Sequence, residues 1–379
     1  MFALCNAQVL TDGALADGLA VLVEGDRIAG VFPAATVPGG VARHDLGGAV
    51  LAPGFIDVQV NGGGDALFND APSVETIRSI GAAHRPFGTT GFLPTLISDD
   101  LDVIRAGIAA VNAAIKAGVP GVLGIHIEGP FINVARKGIH AAHKIRDLDE
   151  EGIGVLTSLG RGRTLVTLAP ELAGAAMIRR LAGAGVIVAA GHTAGTFAEI
   201  SDGVAAGLTG FTHLFNAMSP LGSRDPCAVG AGLYHEGVWC SLIVDGHHVD
   251  AVTLRLALRC KPVDRFMLVT DAMPPTGGDR PAFLLNGRPI ATEGGRLVDE
   301  DGVLAGADLT MLDAVRRTVA TLDVPLPAAL AMASEHPAAF LRLDERLGRI
   351  APGYCASMIA IDGGDRISAC WIDGQLQPV

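Results

Sequence analysis

The chain has 379 residues, 49% hydrophobic and only 18% charged, so it can bury a large core and is not disordered. Its net charge of −12 argues against nucleic acid as a partner, and an anionic substrate would need a local basic pocket. Mean hydropathy is +0.41, but the two stretches free of Asp, Glu, Lys and Arg, 181–198 and 203–223, carry histidine and several glycines and read as buried strands with their loops, not membrane spans.

Residues 1–49 open without a basic start followed by an apolar run, so no export signal is expected. They give short alternating strands, such as 19–24 and 27–32, joined at Gly25-Asp26. From residue 50 the pattern changes to short, continuously apolar runs alternating with Ala-rich helical segments such as 73–87 and 100–117. Eight runs read as parallel strands buried on both faces: 50–60, 91–97, 122–128, 165–169, 186–192, 210–216, 239–245 and 266–271. After them, 281–303 reads as an extra hairpin region with turns at Asn286-Gly287 and Gly294-Gly295. The end of the chain returns to short strands, 357–361 and 367–372, before the Asp373-Gly374 turn.

This order predicts an α/β protein: a (β/α)8 TIM-like barrel over 50–347, with a small β-sandwich domain built from 1–49 plus 348–379. A doubly wound sheet is disfavoured because no GxGxxG follows an early strand. The six cysteines are scattered without a CxxC pair, which fits reduced thiols and a cytoplasmic protein.

Polar residues cluster where the apolar runs stop. The third ends at Glu128, the fifth at His192, the sixth at His213 and Asn216, the seventh at Asp245 and His248, and the eighth at Asp271. In a barrel these side chains meet at the C-terminal face, where barrel enzymes place their sites. One carboxylate and two imidazoles suit a catalytic divalent ion with a position left for water. Such an ion lowers the pKa of water and polarises a carbonyl, and a spare carboxylate such as Asp271 can then move the proton. No GxSxG occurs, so a serine hydrolase has no visible nucleophile. His143 reads as an exposed loop histidine, His247 as a neighbour pointing elsewhere, and His84 and His336 as packing or capping groups in helical segments.

The segments PGFIDVQVNG (53–62), GIHIEGPFIN (124–133), KGIH (137–140), TLAPE (167–171), AGHT (190–193), THLFNAM (212–218), DGHHVD (245–250), LVTDAMPPTG (268–277) and LAGADLTM (304–311) resemble the N-acetylglucosamine-6-phosphate deacetylases of the amidohydrolase superfamily. The resemblance spans almost the whole chain. It implies Glu128, His192 and His213 as metal ligands, Asp271 as general base and then acid, and His140 as the group that polarises the acetamide carbonyl. Asn216 and Ala217 would contact the sugar phosphate, Arg224 and His248 its phosphate, and Ile139 with Leu304, Ala305 and Gly306 would line the sugar pocket, with Gln59 and Asp245 also among the expected substrate contacts. It also suggests a homodimer, with Arg224 near the subunit boundary.

Two departures bear on the metal. Where many amidohydrolases carry HxH after the first strand, this chain has Gln59 and Asn61, and its fourth strand offers no lysine as a bridge. Amides are poor ligands for zinc-like ions, so one divalent metal per site is expected, zinc or else iron, with Gln59 beside it. Three rivals stay open: the galactosamine epimer as substrate, a dihydroorotase-, hydantoinase- or deaminase-like amidohydrolase, and a non-catalytic sugar-phosphate-binding barrel.

Overall fold

The computed structural model describes residues 1–363 and 365–379. Its centre is a ring of eight parallel strands: β1 (Phe55–Val60), β2 (Thr89–Ile97), β3 (Gly124–Glu128), β4 (Arg163–Leu168), β5 (Ile187–Ala190), β6 (Gly210–Phe211), β7 (Trp239–Leu242) and β8 (Phe266–Leu268). They pair in sequence order from β1 to β8. Nearly every residue in them is buried, because ring interior and surrounding helices cover both faces.

The backbone ladder does not run between β8 and β1. That seam closes just beyond the strands, where Asn61 and Gly62 N–H both donate to Ala272 O at 2.9 Å. Within it, Asp57 accepts from Thr270 Oγ1 at 2.5 Å. Burial raises the Asp57 carboxyl to a pKa of about 7.

The helical segments fall where their periodicity and caps put them. The helix Val74–His84 starts at Ser73, whose side chain accepts from Thr76 N–H. The next, Leu101–Lys116, buries Ile104, Ile108 and Val111 on one face.

Both termini build one eight-stranded sheet. Its path runs Gln375–Gln377, Arg366–Ile372, Met358–Asp362, Val50–Pro53, Phe2–Thr11, Ala14–Glu24 and Arg27–Pro33, with Ala42–Asp45 also beside Phe2–Thr11. Ile28 N–H donates to Tyr354 O, so the sheet returns on itself around Leu4, Val21, Ile28, Leu51, Met358 and Trp371. The run expected as a single barrel strand over 50–60 is therefore two strands: Val50–Pro53 belongs to this sheet, and the barrel begins at Phe55 after Gly54. The region 281–303 forms the antiparallel strands Ala282–Leu285, Arg288–Glu293 and Arg296–Val298. Among the described residues, no helix is long and apolar enough to cross a membrane.

Candidate active site

The strands stop and the chain turns sharply where the polar residues lie. His192, His213, Ala217 and Asp271 have φ of 48°, 35°, 49° and 52°, in the left-handed region that non-glycine residues rarely occupy. Each such residue costs about 1–3 kcal/mol and persists only where its surroundings fix it. Next to His192, a Cβ on Gly191 would lie 2.5 Å from the Thr167 side chain, so only glycine lets the chain pass there.

A cavity of about 480 Å³ opens at this face. Glu128, His140, His192, His213, Asn216, Ala217, His248 and Asp271 line it, with Ile139, Leu304 and Gly306. At its floor, Glu128 Oε1 lies 3.2 Å from His192 Nε2 and 2.8 Å from His213 Nε2, and the two nitrogens are 3.2 Å apart. Ligand atoms of a tetrahedral shell with bonds of about 2.0–2.1 Å stand about 3.3 Å apart, so these three atoms fit a single divalent cation. His192 Nδ1–H donates to Arg136 O at 2.8 Å, which leaves the Nε2 lone pair free for a metal. Burial acts to raise the Glu128 carboxyl, but hydrogen bonds and charge from His192 and His213 outweigh it and hold the pKa well below the usual range.

Glu128, His140 and His192 also bring ligand atoms within 4.8 Å of one another, so His140 competes with His213 for the third position. Its hydrogen bonding argues for His213 instead. His140 Nδ1 accepts from the Ser98 N–H at 3.3 Å and lies 2.7 Å from Ser98 Oγ. Burial, with His192 next, lowers its pKa to about 3, so the ring is neutral. The proton then sits on Nε2, and His140 presents an N–H donor to the cavity instead of a lone pair.

Asp271 stands beside this set. Its Oδ1 accepts from Gln59 Nε2 at 3.0 Å and Asn61 Nδ2 at 2.7 Å, while Gln59 Nε2 also reaches Glu128 Oε2 at 3.1 Å. Burial, then the Glu128 charge, raise the Asp271 pKa to about 6. A carboxyl poised there, with one oxygen held and the other free, suits proton transfer.

Four expected substrate contacts sit differently. Gln59 lies under the cavity and touches the two carboxylates instead of lining it. Asp245 is also outside the lining: its Oδ2 accepts from His248 Nδ1 at 2.6 Å and its Oδ1 from the His247 and His248 N–H groups, so it orients His248. Those hydrogen bonds outweigh burial and lower its pKa to about 2. Ala305 is fully buried against Leu297 and Met273, while Gly306, at φ 61°, meets the cavity. Arg224 is exposed on the 219–226 loop, away from the cavity of its own chain. Conversely, Arg136 and Asn61 line the cavity and Ser98 fixes His140, although none was singled out as a site residue; Ser98 and Asn61 also follow strand ends, the signal that found the others.

A (β/α)8 barrel whose C-terminal mouth gathers a Glu/His/His donor set beside a second buried acid is the architecture of a metal-dependent hydrolase. The chain belongs to the amidohydrolase family, which it matches over residues 50–377, and residues 1–51 match the NagA composite domain. It is 40% identical to the N-acetylgalactosamine-6-phosphate deacetylase of Shewanella sp. (strain ANA-3), over 98% of this chain and 94% of that one. It is 31% identical to the N-acetylglucosamine-6-phosphate deacetylase of Haemophilus influenzae, over 99% and 98%. The crystal structure of N-acetylglucosamine-6-phosphate deacetylase from Pasteurella multocida superimposes with a TM-score of 0.96 at 32% identity, covering 99% of both chains.

Proposed function

We propose that the chain hydrolyses N-acetylglucosamine 6-phosphate to glucosamine 6-phosphate and acetate. The observation that carries this reading is the meeting of the Glu128, His192 and His213 donor atoms with the Asp271 carboxyl and the His140 ring at one cavity. The names of relatives at 31% and 40% identity over almost the full chain support it.

A divalent cation held by Glu128, His192 and His213, zinc or else iron, would supply Lewis acidity toward water and the acetamide carbonyl. Asp271 takes the proton of the attacking water through Oδ2, since Oδ1 is occupied by Gln59 and Asn61. It returns that proton to the sugar nitrogen as the C–N bond breaks. His140 Nε2–H donates to the carbonyl oxygen as negative charge develops on it. Ile139, Asn216, Ala217, Leu304 and Gly306 border the sugar, and His248, backed by Asp245, holds the phosphate.

One cation per site is our reading. The amide N–H groups of Gln59 and Asn61 face Glu128 Oε2 and Asp271 Oδ1, where a second cation would need lone pairs. Metal analysis of active enzyme should give about one ion per chain, and a value near two would reject this. We further propose a cytoplasmic homodimer. Exposed Leu221, Arg224 and Tyr234 would lie at its boundary, and Arg224 would serve phosphate there instead of in its own cavity.

His140→Ala should lower kcat by about 10²–10³-fold, the usual cost of an oxyanion donor, with KM little changed. Its metal content should equal that of the wild type. Loss of metal would instead make His140 a ligand.

The 40% identical relative supports a second reading, the galactosamine epimer as preferred substrate. Acetate release from both sugar phosphates, compared as kcat/KM, separates the two. A clear preference for the galactosamine compound would move the assignment, and no acetate from either would end it.

A further inference from the structure

The reaction as derived uses nothing from the TLAPE run that ends β4. Glu171 lies in the first turn of the helix Pro170–Gly183 and reaches across to two neighbouring loops. Its Oε1 accepts from Asn133 Nδ2 at 3.0 Å and from the Ala194 N–H at 2.8 Å; its Oε2 accepts from Thr193 Oγ1 at 2.5 Å. Those partners belong to the two segments that fix His192. The Asn133 N–H donates to His192 O at 2.9 Å, and Asn133 Oδ1 caps the turn Val134–Arg136 by accepting from the Ala135 N–H at 2.9 Å. The carbonyl of Arg136, at the end of that turn, accepts from His192 Nδ1. On the other side, Thr193 and Ala194 directly follow His192.

We propose that Glu171 is a positioning residue for the metal centre, clamping the loop after β3 to the loop after β5 so that His192 Nε2 is held toward Glu128 and His213. The inference rests on the reading above that His192 is a ligand. His192 has a left-handed backbone, which its surroundings must impose. Both the carbonyl that orients its ring and the chain that follows it are tied to this one carboxylate. Without the carboxylate, three donors lose their acceptor together and the two loops are no longer held to each other at this point.

The test follows the release of Zn²⁺ from loaded enzyme to an excess of chromogenic chelator. Glu171→Ala should release metal about tenfold faster or more, toward the range seen when groups that orient metal-bound histidines are removed. Glu171→Gln keeps an oxygen for Asn133 and Ala194 and offers an N–H to Thr193 Oγ1, so its rate should stay within about threefold of wild type. Thr193→Val, at similar volume, removes the Oγ1 bond to Glu171 along with the one Oγ1 accepts from the Gly195 N–H at 3.0 Å, and leaves Asn133 and Ala194 on the carboxylate. It should fall between them and carries the same test should Glu171→Ala not fold. Equal rates for wild type and both disruptive variants would overturn the clamp, as would Glu171→Gln matching Glu171→Ala. Metal content and acetate release of the wild type, measured in the same preparation, separate the two failures: a wild type that binds no metal sinks the underlying reading. One that binds metal no more firmly than its variants sinks only the role of Glu171.

Discussion

Asp271→Asn is expected to bind metal and substrate as the wild type does while kcat falls by about 10²–10⁴-fold, the contribution of a positioned acid–base group. The substitution is nearly isosteric, and the local hydrogen bonds favour one orientation of the new amide. Gln59 Nε2 and Asn61 Nδ2 both donate to Oδ1. The amide oxygen would take that position, and its NH2 would replace Oδ2. The scaffold survives, but the atom that should accept the water's proton becomes a donor. Acetate release gives kcat, and calorimetric titration with the sugar phosphate gives affinity. Wild-type turnover in this variant would remove Asp271 from the chemistry.

The same carboxyl is expected to set the acidic limb of the pH profile. Burial and the Glu128 charge raise its pKa to about 6, while a bound cation acts in the opposite direction. As the base must be ionised, kcat/KM should fall as pH drops through about 6 or below. His140, with a pKa of about 3, stays neutral and adds no limb near neutrality. A limb shared unchanged by wild type and Asp271→Asn would have to come from another group.

The strands and candidate ligands were legible because a doubly buried parallel strand is mostly apolar along its length, Asp57, Gln59 and His126 aside, and gathers its functional polar residues where it ends. Glu128, His192, His213 and Asp271 each interrupt an apolar run, and a barrel brings such interruptions together. Strand limits were less visible. Leu214 and Phe215 look like strand residues, yet β6 ends at Phe211 because the chain leaves the ladder for the left-handed turn at His213. The run at 50–60 spans two sheets that both bury their strands, so hydrophobicity alone does not mark the crossing at Pro53-Gly54. Contacts between loops were least visible of all. Ser98 on His140, Asp245 on His248 and Glu171 on Asn133 and Thr193 are unions of side chains that no periodicity relates.

Glu128→Gln should abolish stable metal binding and, with it, activity. Both oxygens of Glu128 are committed: Oε1 faces the His192 and His213 Nε2 atoms, and Oε2 accepts from Gln59 Nε2. Glutamine can satisfy only one side. With its oxygen toward the imidazoles, its NH2 meets the NH2 of Gln59, donor against donor in a buried site. With its NH2 toward the imidazoles, the cation loses a ligand and faces an N–H instead. Either orientation also removes the one negative charge that offsets the cation within the donor set. Metal affinity should therefore fall by more than about 100-fold, beyond the 10–100-fold typical of groups that only orient ligands. Equilibrium dialysis against Zn²⁺ measures this directly, and acetate release should fall in proportion to bound metal. A Glu128→Gln enzyme that kept one tightly bound ion would show the cation to be held elsewhere, and the site built on Glu128, His192 and His213 would be wrong.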